Sequence, residues 1–355
     1  MSVVNLPDIA RMRTIAFAGY RPGKPATTPA GKLSSNESAL GPAPGVNEAV
    51  AVAMRDAHRY PDLRPLRRMV AAQERMPEDA VVVTNGSDEL CYLLASLFVE
   101  PDAKVVLSDP CYQIDAVVTR LYRGRPEFVP LRADGGQDLD AMLAHAQDAK
   151  LVWLPTPHNP TGIAVGPDEL HGFLEAVPSA CLVVLDEAYR AYVDGDRRPA
   201  VPELLGRYSN LIVQRTFSKD YALAGLRIGY GLGDPAVIDA IERIKPPFSV
   251  SATAIAAAQA ALARVAWRDY GVELAVRERR RLEATLDELD VTYFPSQANF
   301  VTLTTPHLER LARALHEAGL VIRDGSDLGL PGWVRISVGS PPAMARLRAV
   351  LKEVL

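Results

Sequence analysis

The chain has 355 residues, too many for one compact core and enough for two domains, or one large domain with a lobe, around a sizeable site. Hydrophobic residues make up 48% and charged residues 23%, which excludes disordered, collagen-like and disulfide-scaffold classes. With 39 Lys and Arg against 43 Asp and Glu, the net charge of −4 gives no reason to expect nucleic acid or an anionic membrane as a partner, so small molecules are expected.

In chain order, residues 1–45 carry Pro22, Pro25, Pro29, Pro42 and Pro44 among Gly19, Gly23, Gly31 and Gly41. Such a segment is too irregular to fold alone and is expected to pack as an arm on the C-terminal part. Residues 46–248 are expected to form the large domain. There, apolar runs recur with helical stretches between them: Val81-Val82-Val83, Val105-Val106-Leu107, Leu151 to Leu154, Leu182 to Leu185, Leu211-Ile212-Val213 and Ile228-Gly229-Tyr230. Runs that are apolar throughout require cover on both faces, so the fold class is α/β, a mostly parallel sheet with helices on both faces. Ser87-Asp88-Glu89 and Pro167-Asp168-Glu169 mark helix starts. Residues 249–355 begin with an Ala-rich linking helix from Ser251 to about Glu288, whose Arg277 to Arg281 segment reads as a solvated face. Strands near 299–303, 320–322 and 333–338 and helices 307–318 and 341–354 then build a smaller α+β lobe.

Three cysteines, Cys91, Cys111 and Cys181, form no C-x-x-C pair, and the six histidines show no H-x-x-x-H or H-E-x-x-H spacing, so no metal is expected. Asp8, Arg11 and Arg13 interrupt the start and no 18-residue apolar run occurs. Neither secretion nor membrane spanning is expected, and the expected location is the cytoplasm.

Ligands of open parallel sheets bind beyond the carboxyl ends of the strands. Those ends deliver Asn85 to Glu89, Pro155 to Gly162, Asp186 to Tyr189 and Thr216 to Lys219. A single lysine is usually a solvated surface residue, but Lys219 follows two hydroxyls and precedes Gly225-Leu226-Arg227. A nearby cation and desolvation favour a neutral amine, the condition for a Schiff-base lysine. Asp186 at a strand end reads as a magnesium ligand, a helix-cap carboxylate or a partner for a protonated pyridine nitrogen. Magnesium lacks its companion, because no G-x-x-x-x-G-K-[ST] occurs. Tyr189 and Asn159 can both reach an oxygen on such a ring, and Ser218 with Arg227 can hold a phosphate. The helix start at Ser87 offers backbone N–H groups to an anion. The carboxylates of Asp88 and Glu89 would repel one, so both side chains are expected to turn away.

Together these residues resemble the fold-type I pyridoxal-phosphate enzymes, class I/II aminotransferases, and most closely the histidinol-phosphate aminotransferase group. The resemblance runs through Tyr20 to Lys24, Leu33 to Glu37, Arg59 to Asp62, Asn85 to Glu89, Asn159 to Gly162, Asp186 to Tyr189, Thr216 to Lys219, Gly225 to Tyr230, Asn299-Phe300 and Arg335 to Gly339. It implies pyridoxal 5'-phosphate as cofactor, with Lys219 as Schiff-base lysine and proton shuttle and Asp186 on the pyridine nitrogen. It further implies Tyr189 and Asn159 on the ring oxygen, Tyr112 stacked on the ring, and Ser87, the Asp88 backbone, Thr216, Ser218 and Arg227 on the phosphate. Tyr60 would reach the cofactor phosphate of a second subunit, so a homodimer with shared sites is implied. Arg335 would pair with the substrate carboxylate, and Arg323 and Tyr20 would contact the substrate side chain. The implied reaction moves an amino group from an amine or amino acid, histidinol-phosphate-like or aromatic, to a 2-oxo acid such as 2-oxoglutarate. Other reactions on this scaffold are a decarboxylase or oxidase, or a non-catalytic binding protein. Two departures stand out. Ser38-Ala39 replaces Asn-Pro in the arm, and Asp220 follows the lysine where a small residue is usual, expected as an outward-pointing helix residue.

Overall fold

The computed structural model describes Gly23, Ala26 and residues 28–355. Its strands begin with β1 (Lys32–Leu33), β2 (Val81–Thr84), β3 (Lys104–Asp109), β4 (Arg125–Pro130), β5 (Leu151–Pro155) and β6 (Leu182–Asp186). They continue with β7 (Leu211–Thr216), β8 (Gly229–Gly233), β9 (Thr292–Phe294), β10 (Phe300–Thr304), β11 (Val321–Asp324) and β12 (Val334–Ser337). Seven of them form one sheet in the order β2-β8-β7-β6-β5-β3-β4. Only β8 runs against its neighbours in that sheet; the pairs from β7 through β6, β5 and β3 to β4 are parallel.

The apolar runs explain this sheet. Val81, Val83, Val152, Leu154, Val183 and Leu185 face one core with helices Arg64–Glu74, Leu139–Ala146, Pro167–Ala176 and Ala252–Leu262. Val82, Leu151, Trp153, Leu182, Val184 and Ile212 face the other, with helices Gly86–Phe98, Gln113–Leu121 and Pro235–Ile244. With both faces covered, strands β2, β5, β7 and β8 bury every residue, at roughly 25 cal/mol per Å² of apolar surface. Strand β4 escapes a sequence reading because Pro126, Pro130, Arg125 and Glu127 break the apolar pattern. It sits at the sheet edge, where proline's missing N–H costs no ladder bond.

The remaining strands form a second sheet, β1-β11-β12-β10-β9. It is packed by helices Val265–Glu288, Leu308–Glu317 and Pro341–Val354 around Leu282, Val301, Leu303, Ile336 and Leu347. The N-terminal strand β1 joins it by parallel pairing with β11. The expected single helix from Ser251 to Glu288 is in fact two, Ala252–Leu262 and Val265–Glu288, and no glycine or proline marks the break at Ala263-Arg264. Nor is Arg277 to Arg281 a solvated face throughout. Arg279 is buried, with Nη1 donating to Ala298 O at 2.8 Å, and buried Glu278 accepts from Arg281 and Arg348.

Candidate active site

All parallel strands of the large sheet end on one edge, and their carboxyl ends border a cavity of about 460 Å³ that the second sheet closes with Arg323 and Arg335. Lys219 follows β7 and enters it, with Nζ 5.6 Å from the centre of the Tyr189 ring and 3.4 Å from Ser35 O. Asp186 ends β6 and lies on the cavity floor. Its Oδ1 accepts from the Ala188 N–H at 2.9 Å and its Oδ2 from Gln214 Nε2 at 3.1 Å. Burial pushes this carboxyl up to about 6 against the two hydrogen bonds and the Lys219 charge, which favour ionisation.

At another side of the cavity stands the start of helix Gly86–Phe98. Gly86 has φ +78, and a Cβ there would come 2.8 Å from Arg227 Nη2, so only glycine lets the guanidinium reach the helix start. Ser87, Thr216 and Ser218 line the same region. Thr216 Oγ1 donates to Ser218 Oγ at 2.9 Å and accepts from the Ser218 N–H at 3.1 Å, which fixes the turn into Lys219. Here one expectation fails. Asp88 does not turn away: its carboxylate accepts from Arg227 Nη2 at 3.1 Å and from Tyr112 Oη at 3.0 Å. The half-exposed arginine and the helix start both attract it, and together they outweigh the preference for open solvent. Glu89 does turn back, accepting from the Asn85 N–H at 2.6 Å and from Ser249 Oγ.

Arg335 on β12 and Arg323 on β11 are buried, 5% and 4% exposed, and stand directly opposite each other in an antiparallel ladder. Arg335 donates to Asn159 Oδ1 at 2.6 Å and to Ser34 O at 3.1 Å. Arg323 has Asp327 Oδ2 at 3.8 Å. Tyr60 lies outside this cavity, 79% exposed and stacked on Phe248 with ring centres 4.3 Å apart. Tyr20 lies outside the described residues. Asp220 is neither on a helix nor outward in open solvent: it sits in the turn after Lys219 and borders a second cavity, and burial pushes its carboxyl up to about 6.

Sequence reasoning passed over two groups. Asn36, in the left-handed region at φ 54, donates from Nδ2 to Tyr189 Oη at 2.9 Å. Gln214, completely buried, contacts Asp186. A polar residue inside the run Leu211-Ile212-Val213 to Thr216 was the available signal for the second, since buried amides need partners. No group of three or more metal-ligating side chains occurs among the described residues, and no helix among them is long and apolar enough to cross a membrane.

A sequence model of the aminotransferase class I and II family matches residues 30–351. A histidinol-phosphate aminotransferase of Geobacillus thermodenitrificans is 38% identical over 91% of this chain and 90% of its own. One of Pseudomonas fluorescens is 36% identical over 99% of this chain and 98% of its own. The crystal structure of histidinol-phosphate aminotransferase from Sinorhizobium meliloti in complex with pyridoxal-5'-phosphate superposes with a TM-score of 0.87 at 30% identity, over 99% of this chain and 98% of that one. The residues present suit that cofactor. A carboxylate that accepts from two N–H donors and faces the cavity suits a cationic ring nitrogen. The cradle of Gly86, Ser87, Ser218 and Arg227 offers an anion a helix start, hydroxyls and a guanidinium. The chain belongs to the class I and II aminotransferases and is a pyridoxal-5'-phosphate-dependent enzyme of that family.

Proposed function

We propose that this aminotransferase takes an amino donor that carries a phosphate, as the name histidinol phosphate describes for its relatives, and passes the amino group to a 2-oxo acid such as 2-oxoglutarate. The observation that carries the reading is the Arg323 and Arg335 pair. Like charges directly opposite in a ladder oppose folding, and two buried guanidinium groups on one cavity wall are best balanced by anions of a ligand. Asp327 lies 3.8 Å from Arg323, and Arg335, held by Asn159 and Ser34 O, would present its guanidinium to a carboxylate.

Pyridoxal phosphate supplies an aldehyde for the donor amine and a ring that draws electrons from the carbon bearing it. Asp186 would hold the ring nitrogen, Tyr189 and Asn159 the ring oxygen, and Tyr112 the ring face. Ser87, the Asp88 backbone, Thr216, Ser218 and Arg227 would hold the phosphate, which requires Arg227 to divide its donors between Asp88 and the ligand. Lys219 Nζ would take the proton from the amine-bearing carbon of the donor and deliver it to the carbon on the other side of the nitrogen. Residues 46–248 would form the cofactor domain and 249–355 with the arm the smaller one.

Tyr60, Phe248, Val52 and Met54 form exposed apolar surface, which a second copy would cover, bringing Tyr60 to that copy's phosphate site. Donors offered to the loaded enzyme while the visible band is followed test the substrate reading. Histidinol phosphate should convert the cofactor to its aminated form faster than phenylalanine or arginine does. A preference for phenylalanine or arginine overturns it.

A further inference from the structure

Behind Asp186, on the side away from the cavity, the polar contacts continue into the core. Gln214 stands on β7 opposite Asp186 on β6. Its Nε2 donates to Asp186 Oδ2 at 3.1 Å, and its Oε1 accepts from the Cys91 thiol at 3.3 Å. The same sulfur lies 3.9 Å from Asp115 Oδ1 on helix Gln113–Leu121. Cys91 and Gln214 are completely buried and Asp115 nearly so.

An amide can be turned either way, and its neighbours decide which end faces what. With the oxygen toward Asp186, two acceptors would meet in the core, each without its donor. Protonation of Asp186 would relieve that cost by turning the carboxyl into a donor. The thiol opposes the turn, since the amide oxygen at 3.3 Å is its nearer acceptor and Asp115 Oδ1 lies farther off, at 3.9 Å.

We propose that Gln214 and Cys91 are positioning residues: the thiol holds the amide oxygen, so that the amide nitrogen faces Asp186 and keeps it an anion able to pair with the ring nitrogen of the cofactor. This rests on the reading of Asp186 given above. The charges around Asp186 agree with it. Asp88 opposes its ionisation, while Lys219 and the amide nitrogen of Gln214 favour it. Burial and the carboxylates of Asp186 and Asp88 push Asp115 well up, which favours its protonated form. Burial likewise keeps Cys91 a thiol. Of the two carboxyls beside this core, the negative charge therefore rests on the one with two N–H donors.

The test uses the enzyme loaded with pyridoxal phosphate labelled with ¹⁵N in the ring, whose resonance reports protonation of that nitrogen across a pH titration. Gln214→Met, which keeps the volume, should move the midpoint about one pH unit lower. Cys91→Ala should move it less in the same direction, and Cys91→Ser, which restores a donor, should return it toward that of the native enzyme. A Gln214→Met titration identical to the native one, while Asp186→Asn shifts strongly, overturns the inference and leaves the reading of Asp186 standing. If Asp186→Asn also titrates as native, both fall. Should Gln214→Met fail to fold, the Cys91 pair decides: equal midpoints for alanine, serine and cysteine overturn the proposal.

Discussion

Asp186 and Asp220 flank the same stretch of structure, and burial pushes both carboxyls up to about 6, yet their surroundings are opposite in kind. Asp220 borders a second cavity, of about 380 Å³, in which the countercharges are built in. There Arg215 binds Glu187 and Glu74, Arg268 binds Asp269 and Tyr221, and Arg268 and Arg215 favour the ionised Asp220. For Asp186 the groups that most favour its charge are instead the Ala188 N–H, Gln214 and Lys219. A carboxylate balanced by its own fold is structural. One held only by N–H donors and a mobile amine is open to a cation brought by a ligand.

The largest effect should come from the lysine between them. Lys219→Ala is expected to lower single-turnover rates by at least about 10²–10⁴-fold, the usual worth of a positioned acid–base group, with little change in melting temperature because Nζ makes one long hydrogen bond. Next, Asp186→Asn should lower kcat/KM by about 10²–10³-fold. Asp220→Asn should change it less than about threefold, below about 0.7 kcal/mol. Equal losses for the two variants would break the contrast. Arg335→Lys should lower kcat/KM for a carboxylate-bearing substrate by roughly 10–150-fold, the 1.5–3 kcal/mol of a charged hydrogen bond, and steady-state kinetics on substrates with and without a carboxylate would show it.

The smallest effect is on pH. Each carboxyl binds its proton more tightly in the folded chain, about 6 against an ordinary 3.8. Each therefore adds stability below about pH 4 that is lost as pH rises through 6. Melting of the cofactor-free protein between pH 4 and 6.5 should flatten in both Asn variants. Saturating cofactor should cancel the Asp186 share alone, because a cationic ring nitrogen favours the ionised form.

Most of the large sheet was legible because doubly covered strands must be apolar along their whole length, and Lys219 and Asp186 were legible as charges at the ends of such strands, whereas Arg323 and Arg335, on the smaller sheet, were named only through the family resemblance. Strand β4 was not, since an edge strand tolerates proline and charge. The Asp88 orientation was missed because repulsion from an expected phosphate was weighed without the pull of Arg227. Asn36 and Cys91 act through partners 153 and 123 positions away, Tyr189 and Gln214, and no local pattern announces such pairings.

Asn36 also ties Ser337 and Asn299 to Tyr189: its N–H and Oδ1 engage Ser337 Oγ, each at 2.8 Å and across 301 positions, and its O accepts from Asn299 Nδ2 at 3.0 Å. A chain made from its N-terminus cannot form the Ser337 bonds until residue 337 has been added. The wall of the cavity is therefore finished only after synthesis has passed residue 337, and the earliest of these residues is among the last to find its place.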